Sequence, residues 1–309
     1  MTALDGSSLA LLEVGRWLQR AGYRFVTVTP ETHRRVIARA QRSGTPYAQN
    51  LRDVFGWNMP FRRELLPHAL CEALTAADAL GCEGERVRSR IRFSSLREGL
   101  FVHSAFPTLA NDAVFFGPDS YRFCSLLRQW LRPTQRLIDI GCGSGVGGVT
   151  VADQAQRIVL SDINTRALEY TRVNVALNAT HADVIASDLL DDVDGAVDTV
   201  IANPPYMRDA SGRTYRDGGG AFGEGLAARI VRQALARLSD KGQLIVYTGA
   251  AIVDGVDTFL DAILPALRQR GGSYRYEELD PDVFGDELDQ PLYQRVERIA
   301  AVGLNVQLS

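Results

Sequence analysis

Residues 201–209 read IANPPYMRD: an apolar run ends in an amide, two prolines and an aromatic ring. Two consecutive prolines withdraw two backbone donors, so neither a helix nor a central strand continues through them. The stretch is therefore a stiff turn at the end of a strand. Asn203 offers a side-chain carbonyl, Pro204 a backbone carbonyl and Tyr206 a flat ring. Two acceptors and a ring suit a planar NH₂ group. Each acceptor takes one N–H, which fixes the plane of the group. Stacking on the ring adds about 1–3 kcal/mol where the target is a nucleobase.

A second cluster lies upstream. In LIDIGCGSGVGG, Gly141, Gly143 and Gly145 alternate directly after an apolar run. Glycines at such a turn let the backbone approach a ligand and lead into a helix N-terminus. Two readings fit. Gly143-x-Gly145-x-x-Gly148 matches the dinucleotide fingerprint, and Asp162, ending the next apolar run, would accept both ribose hydroxyls in either case. A hydride-transfer enzyme competes at this point. Asp139, two residues before the first glycine, would repel a pyrophosphate and attract a ligand bearing a sulfonium and an ammonium. Asp188, in IASDLL, stands where an adenine amino group would be met.

These residues need a frame. From residue 135 onward, RLIDIGCG, QRIVLSDIN, ADVIASD, VDTVIANPP and GQLIVYTG read as strands. TRALEYTRVNVALN and GLAARIVRQALARLS read as helices between them. Strands alternating with helices predict a parallel sheet covered on both faces, the α/β class. YRYEEL and VERIAAVGL close the chain as a sixth and seventh strand, and their short connection allows one to run antiparallel. Ligands of open α/β sheets bind at the carboxyl ends of strands, where Asp139, Asp162, Asp188 and Asn203 all fall. The YTGAAIVDGVD stretch after the fifth strand is expected to be a loop bordering the site. The first hundred residues read differently. Helical spacing covers 9–21, 30–42 and 60–80, and 86–104 reads as one β-hairpin, with Val87, Ser89, Ile91 and Phe93 on one face and arginines on the other.

The loop, the two strand-end acids and the Asn-Pro-Pro-Tyr tetrad, in this order, resemble the class I S-adenosylmethionine-dependent methyltransferases over roughly residues 110–309. The tetrad is similar to that of the amino-methylating branch: release-factor glutamine N5-methyltransferases, adenine-N6 methyltransferases and ribosomal RNA guanine-N2 methyltransferases. The stretch GGGAFGEGLAARIV resembles the glutamine enzymes' Gly-Gly-Glu-Asp-Gly-Leu, although Phe222-Gly223 replaces the acidic pair. FFGPDSYRF (115–123) stands where related enzymes cover the methionine end of the cofactor. The resemblance implies a seven-stranded Rossmann-like sheet in 109–309, preceded by a mainly helical, loosely winged-helix-like recognition domain in 1–108. It implies S-adenosylmethionine as cofactor, held by Asp139, Gly141, Gly143, Gly145, Asp162, Asp188, Phe116 and Asn203. Asn203, Pro204 and Tyr206 become the catalytic set. The acceptor it favours is a protein glutamine amide. The alternatives are a nucleic-acid base, a small-molecule amine, an NAD-dependent oxidation and a binding module without turnover.

Composition narrows the remainder. A chain of 309 residues, 46% hydrophobic and 23% charged, can bury a core without disulfides or metals. Its four cysteines lack CxxC pairing, which predicts free thiols and no metal site. No run of apolar residues is long enough to span a membrane. No signal peptide is read, so the cytoplasm is expected. Residues 1–135 carry 18 Arg against 12 Asp and Glu, whereas the remainder is acidic. A basic first part suits docking of a protein or nucleic-acid substrate.

Overall fold

The computed structural model describes residues 4–108, 110–209, 213 and 215–309. Four helices come first: α1 (Gly6–Arg20), α2 (Pro30–Arg42), α3 (Leu51–Phe55) and α4 (His68–Ala76). Asp5 caps α1 by accepting from the Ser8 amide, and Thr29 caps α2 with Pro30 at its first position. The single helix expected over 60–80 is replaced by a bridge at Phe61, a short 3-10 turn and α4. Pro60 and Pro67 would each remove a hydrogen bond from a helix interior, and α4 starts only after the second of them.

The expected hairpin is two hairpins. β1 (Leu80–Glu83) pairs with β2 (Arg86–Ser89), and β3 (Ile91–Leu96) pairs with β4 (Gly99–Ser104). Arg90 separates them and pairs with Asp78 at 2.8 Å. The arginines form no common solvent face, because every residue of β3 is buried, Arg92 included. The segment around Phe25 covers it. The Ser95 amide donates to the Phe25 carbonyl at 2.7 Å, and the Phe25 amide donates to the Ser95 hydroxyl.

The remaining elements are α5 (Pro118–Trp130), β5 (Thr134–Ile140), α6 (Val146–Thr150), β6 (Ala155–Asp162), α7 (Thr165–Leu177), β7 (Asp183–Ala186), β8 (Val197–Ala202), α8 (Gly225–Arg237), β9 (Leu238–Val253), β10 (Val256–Asp257), α9 (Thr258–Arg270), β11 (Ser273–Asp280) and β12 (Val296–Gln307). The main sheet runs β11-β12-β9-β8-β5-β6-β7, with β10 folded back on β9. β12 is antiparallel to both neighbours, and the pairs from β9 to β7 are parallel. This is the expected α/β architecture, including the reversed strand among the last two. The order reverses between β5 and β8, and a crevice opens outside the carboxyl ends there. The stretch 247–253 is not a loop. It continues β9 to Val253, because β12 pairs with it as far as Val296.

The helical first part packs directly on the sheet domain. Ala167, Tyr170, Val173 and Leu177 of α7 share one apolar cluster with α1 and α4. The Asn174 amide both donates to and accepts from the backbone of Val102, at 3.0 and 2.8 Å, and Asn178 does the same for Leu100. Two side-chain amides thus complete the open edge of β4, which would otherwise be buried unpaired.

Candidate active site at the carboxyl ends of the strands

The crevice is lined by the glycine loop, the ends of β5, β6, β7 and β8, and the segments 113–115 and 204–207. Gly141, Gly143 and Gly145 all adopt positive φ, at 64°, 57° and 73°. That backbone is strained for other residues and bends the chain from β5 into α6. Gly141 and Gly143 line the crevice. Gly145 faces away, where a Cβ would meet the Thr171 side chain at 2.9 Å.

Asp139 lies at the base of the crevice with 2% exposure. Its Oδ2 accepts from the Gly148 amide at 2.9 Å. Burial pushes its pKa up to about 7; the Gly148 amide opposes the rise and the nearby Asp162 adds to it. A buried carboxylate of this kind is stabilised when a cation arrives. Asp162 ends β6 and accepts from the Gly143 and Asn164 amides, each at 2.9 Å. Burial raises its pKa, and the Asn164, Gly143 and Ile163 amides resist. Beside it Ile163 is 65% exposed and lines the crevice, an apolar surface offered to a flat ligand ring. Sequence reasoning passed over Ile163, although an apolar residue directly after a strand-end acid was a readable signal.

Asp188 lies two residues beyond β7, is exposed and sits 3.6 Å from Arg229 of α8. It lines the crevice with an arginine already at its side. Asn203 follows β8, is half-buried and also lines the crevice. Among the described residues no group hydrogen-bonds its amide. Pro204 and Tyr206 line the same space. The Tyr206 hydroxyl donates to Asp119 at 2.6 Å, and its ring lies against Gly249, where a Cβ would fall 2.2 Å away.

Phe116 lies outside the crevice. Its ring stacks on His103 at 5.1 Å and joins an apolar cluster with Leu96, Phe101 and Cys124. Phe115 faces the crevice instead. Segment 113–116 is held to β4, since Ser104 N donates to the Val114 carbonyl and Val114 N to the Ser104 hydroxyl. In extended backbone neighbouring side chains point to opposite sides, and this register sends Phe115 inward. Asp119, Tyr215, Arg216 and Phe284 also line the crevice and escaped sequence reasoning. Among the described residues no group of three or more His, Cys, Asp and Glu could hold a metal, and no helix is long and apolar enough to cross a membrane.

Residues 120–253 match the family model described as Methyltransferase small domain. Ribosomal RNA small subunit methyltransferase C of Chromohalobacter salexigens is 29% identical over 116 residues, covering 38% of this chain and 32% of that protein. The protein of the same name from Actinobacillus pleuropneumoniae is 32% identical over 117 residues, covering 37% and 32%. This chain therefore spans about a third of the length of these relatives. Among solved structures, the M. jannaschii tRNA m1G37 methyltransferase aligns with a TM-score of 0.49 at 15% identity, over 71% of this chain and 57% of that one. The matched segment is similar to the methyltransferase domain which that family model describes.

Proposed function

We propose that this chain transfers a methyl group from S-adenosylmethionine to a planar nitrogen of an RNA base. The observation that carries the reading is the Asn203 amide. It stands in the crevice at the end of β8 with no hydrogen bond to any described residue, on a turn stiffened by Pro204 and Pro205. The bound cofactor supplies an electrophilic methyl on a sulfonium. Asp139 offers the buried negative charge that balances it, and Asp162 and Ile163 offer a carboxylate and an apolar face to the nucleoside. Asn203 Oδ1 and the Pro204 carbonyl each accept one N–H of the target amine. That turns the lone pair, otherwise delocalised into the ring, toward the methyl. No strong base is required, because the nitrogen sheds its proton readily once methylated. Positioning and electrostatics supply the rate.

The same clamp fits a protein glutamine amide, the acceptor favoured by the resemblance of the tetrad. Two features favour a base instead. The two relatives are named for ribosomal RNA. The first 135 residues carry 18 arginines, which suits a phosphate backbone. The test is incubation with isotope-labelled S-adenosylmethionine, ribosomal particles, free RNA and soluble protein, followed by nuclease or protease. Label released by nuclease supports the proposal. Label released by protease transfers the acceptor to protein. Absence of label from a chain that still binds S-adenosylhomocysteine removes the transfer itself.

A further inference from the structure

Tyr206 is the ring expected to receive the acceptor, yet protein contacts occupy most of it. Its hydroxyl is bound by Asp119, its ring lies against Gly249, and Phe284 stands edge-on at 6.0 Å. Only 8% of the residue is exposed. Phe115 and Tyr215 differ. Both line the crevice and are half-buried, and neither belongs to an apolar core cluster of the described residues. Their rings lie 5° from parallel with centroids 6.5 Å apart.

Each ring is held in place. The Phe115 ring rests over Gly117, where a Cβ would fall 2.5 Å from its tip, so this position admits no larger residue without moving the ring. The Tyr215 hydroxyl donates to the Thr108 carbonyl at 2.7 Å and lies 2.9 Å from the Thr108 hydroxyl. The Arg213 guanidinium sits 5.9 Å from the Tyr215 ring and is fixed by both oxygens of Asp209, at 2.7 and 2.8 Å. Two aligned, anchored aromatic rings that stay only half-buried forgo part of their burial, and what they gain in return is a face for a third flat ring.

We infer that Phe115 and Tyr215 are the stacking seat of the acceptor, and that the acceptor is therefore a heteroaromatic base and not an aliphatic side-chain amide. This rests on the base reading above and narrows it. An aliphatic amide has no extended π face and gains little from the pair. A base gains a stack while Asn203 and Pro204 hold its amino group. Thr108 gives the helical first part a direct hold on this seat.

The test uses full-length protein saturated with S-adenosylhomocysteine and a short single-stranded RNA carrying one 2-aminopurine, whose fluorescence is quenched on stacking. Phe115→Leu and Tyr215→Leu keep apolar bulk and remove the ring. Each is expected to abolish the quench and weaken RNA binding about 5- to 100-fold, with S-adenosylhomocysteine affinity by calorimetry unchanged. Tyr215→Phe keeps the quench, which separates the ring from the fold. A parallel loss of S-adenosylhomocysteine affinity would assign the rings to the cofactor and overturn the inference. An unchanged quench in both leucine variants would do the same. Label in protein in the preceding experiment would defeat the base reading. Labelled RNA with an unaltered KM in the leucine variants would defeat only the stacking seat.

Discussion

The Tyr206 hydroxyl donates to Oδ2 of Asp119 across 2.6 Å, joining the turn after β8 to the first turn of α5. Oδ1 of the same carboxylate accepts from Tyr247 at 2.7 Å and from Arg122 at 3.1 Å, and Arg122 continues to Asp280 at 2.9 Å. Burial first, and the Asp119 charge next, raise the ionisation of both tyrosines far above the ordinary phenol range. Both hydroxyls therefore remain protonated and donate. Asp119 holds the tetrad in place through Tyr206. Asp119→Ala strands three donors at once, whereas Tyr206→Phe removes one. Denaturant titration is expected to show a loss of about 1–3 kcal/mol for Tyr206→Phe and a larger one for Asp119→Ala. Methyl transfer should fall in kcat more than in KM for both. Equal, small losses would show that the three bonds do not act as a unit.

On the proposed reading, Asn203→Ala removes one acceptor of the amine clamp and leaves the turn, which the prolines stiffen. Transfer to the labelled RNA fraction is expected to fall about 10²- to 10³-fold, the usual cost of one preorganised polar partner in an active site. S-adenosylhomocysteine affinity should change little, since the glycine loop, Asp139 and Asp162 remain. Calorimetry beside initial rates checks the split. A comparable collapse of both would place Asn203 on the cofactor.

Asp139 links pH to stability and, on the proposed reading, to cofactor binding. Its folded pKa of about 7 stands above the ordinary carboxylate value of 3.8. Between those values the folded chain keeps a proton that the unfolded chain has released. Stability from this group is therefore complete below the lower value and is lost as pH climbs toward about 7. Asp162, also raised, works in the same direction. Cofactor binding runs the opposite way, because a cation is matched by the ionised carboxylate. Thermal midpoints without cofactor should fall from mildly acidic to neutral pH, while S-adenosylmethionine affinity rises over the same interval. Asp139→Asn should flatten both slopes. A slope that survives the substitution would assign the proton to another group.

The strand-end acids, the glycine loop and the tetrad were readable because each signal is local: a strand, then the turn chemistry that stops it. Asp119 was not. Its tyrosine partners lie 87 and 128 positions away, and an acid in a first helical turn reads as a dipole partner. Phe115 and Phe116 are adjacent aromatics, and only the register against Ser104 decides which one enters the crevice. The arginines of 86–92 read as a solvent face because nothing in the pattern announces that the Phe25 segment closes over β3. Asn174 and Asn178 look like ordinary helix-surface amides until β4 supplies an edge for them.

Arg92 is where the closing of that segment has a measurable cost. It is 4% exposed, and its Nε and Nη2 are buried with no hydrogen-bond partner among the described residues. The guanidinium lies 5.4 Å from the Phe25 ring. Burial lowers its pKa to about 10, against the pull of Tyr23 and Tyr121. A charge taken from water without a carboxylate in exchange opposes folding, and a cation–π contact recovers only part of the loss. Arg92→Met keeps an unbranched stem that can pack on Phe25 and discards the charge. Denaturant titration is expected to show a gain of about 1–3 kcal/mol, with methyl transfer to RNA unchanged. A loss of stability would mean that ordered water already satisfies the guanidinium. A stable variant with weakened RNA binding would mean that Arg92 is kept for the substrate and not for the fold.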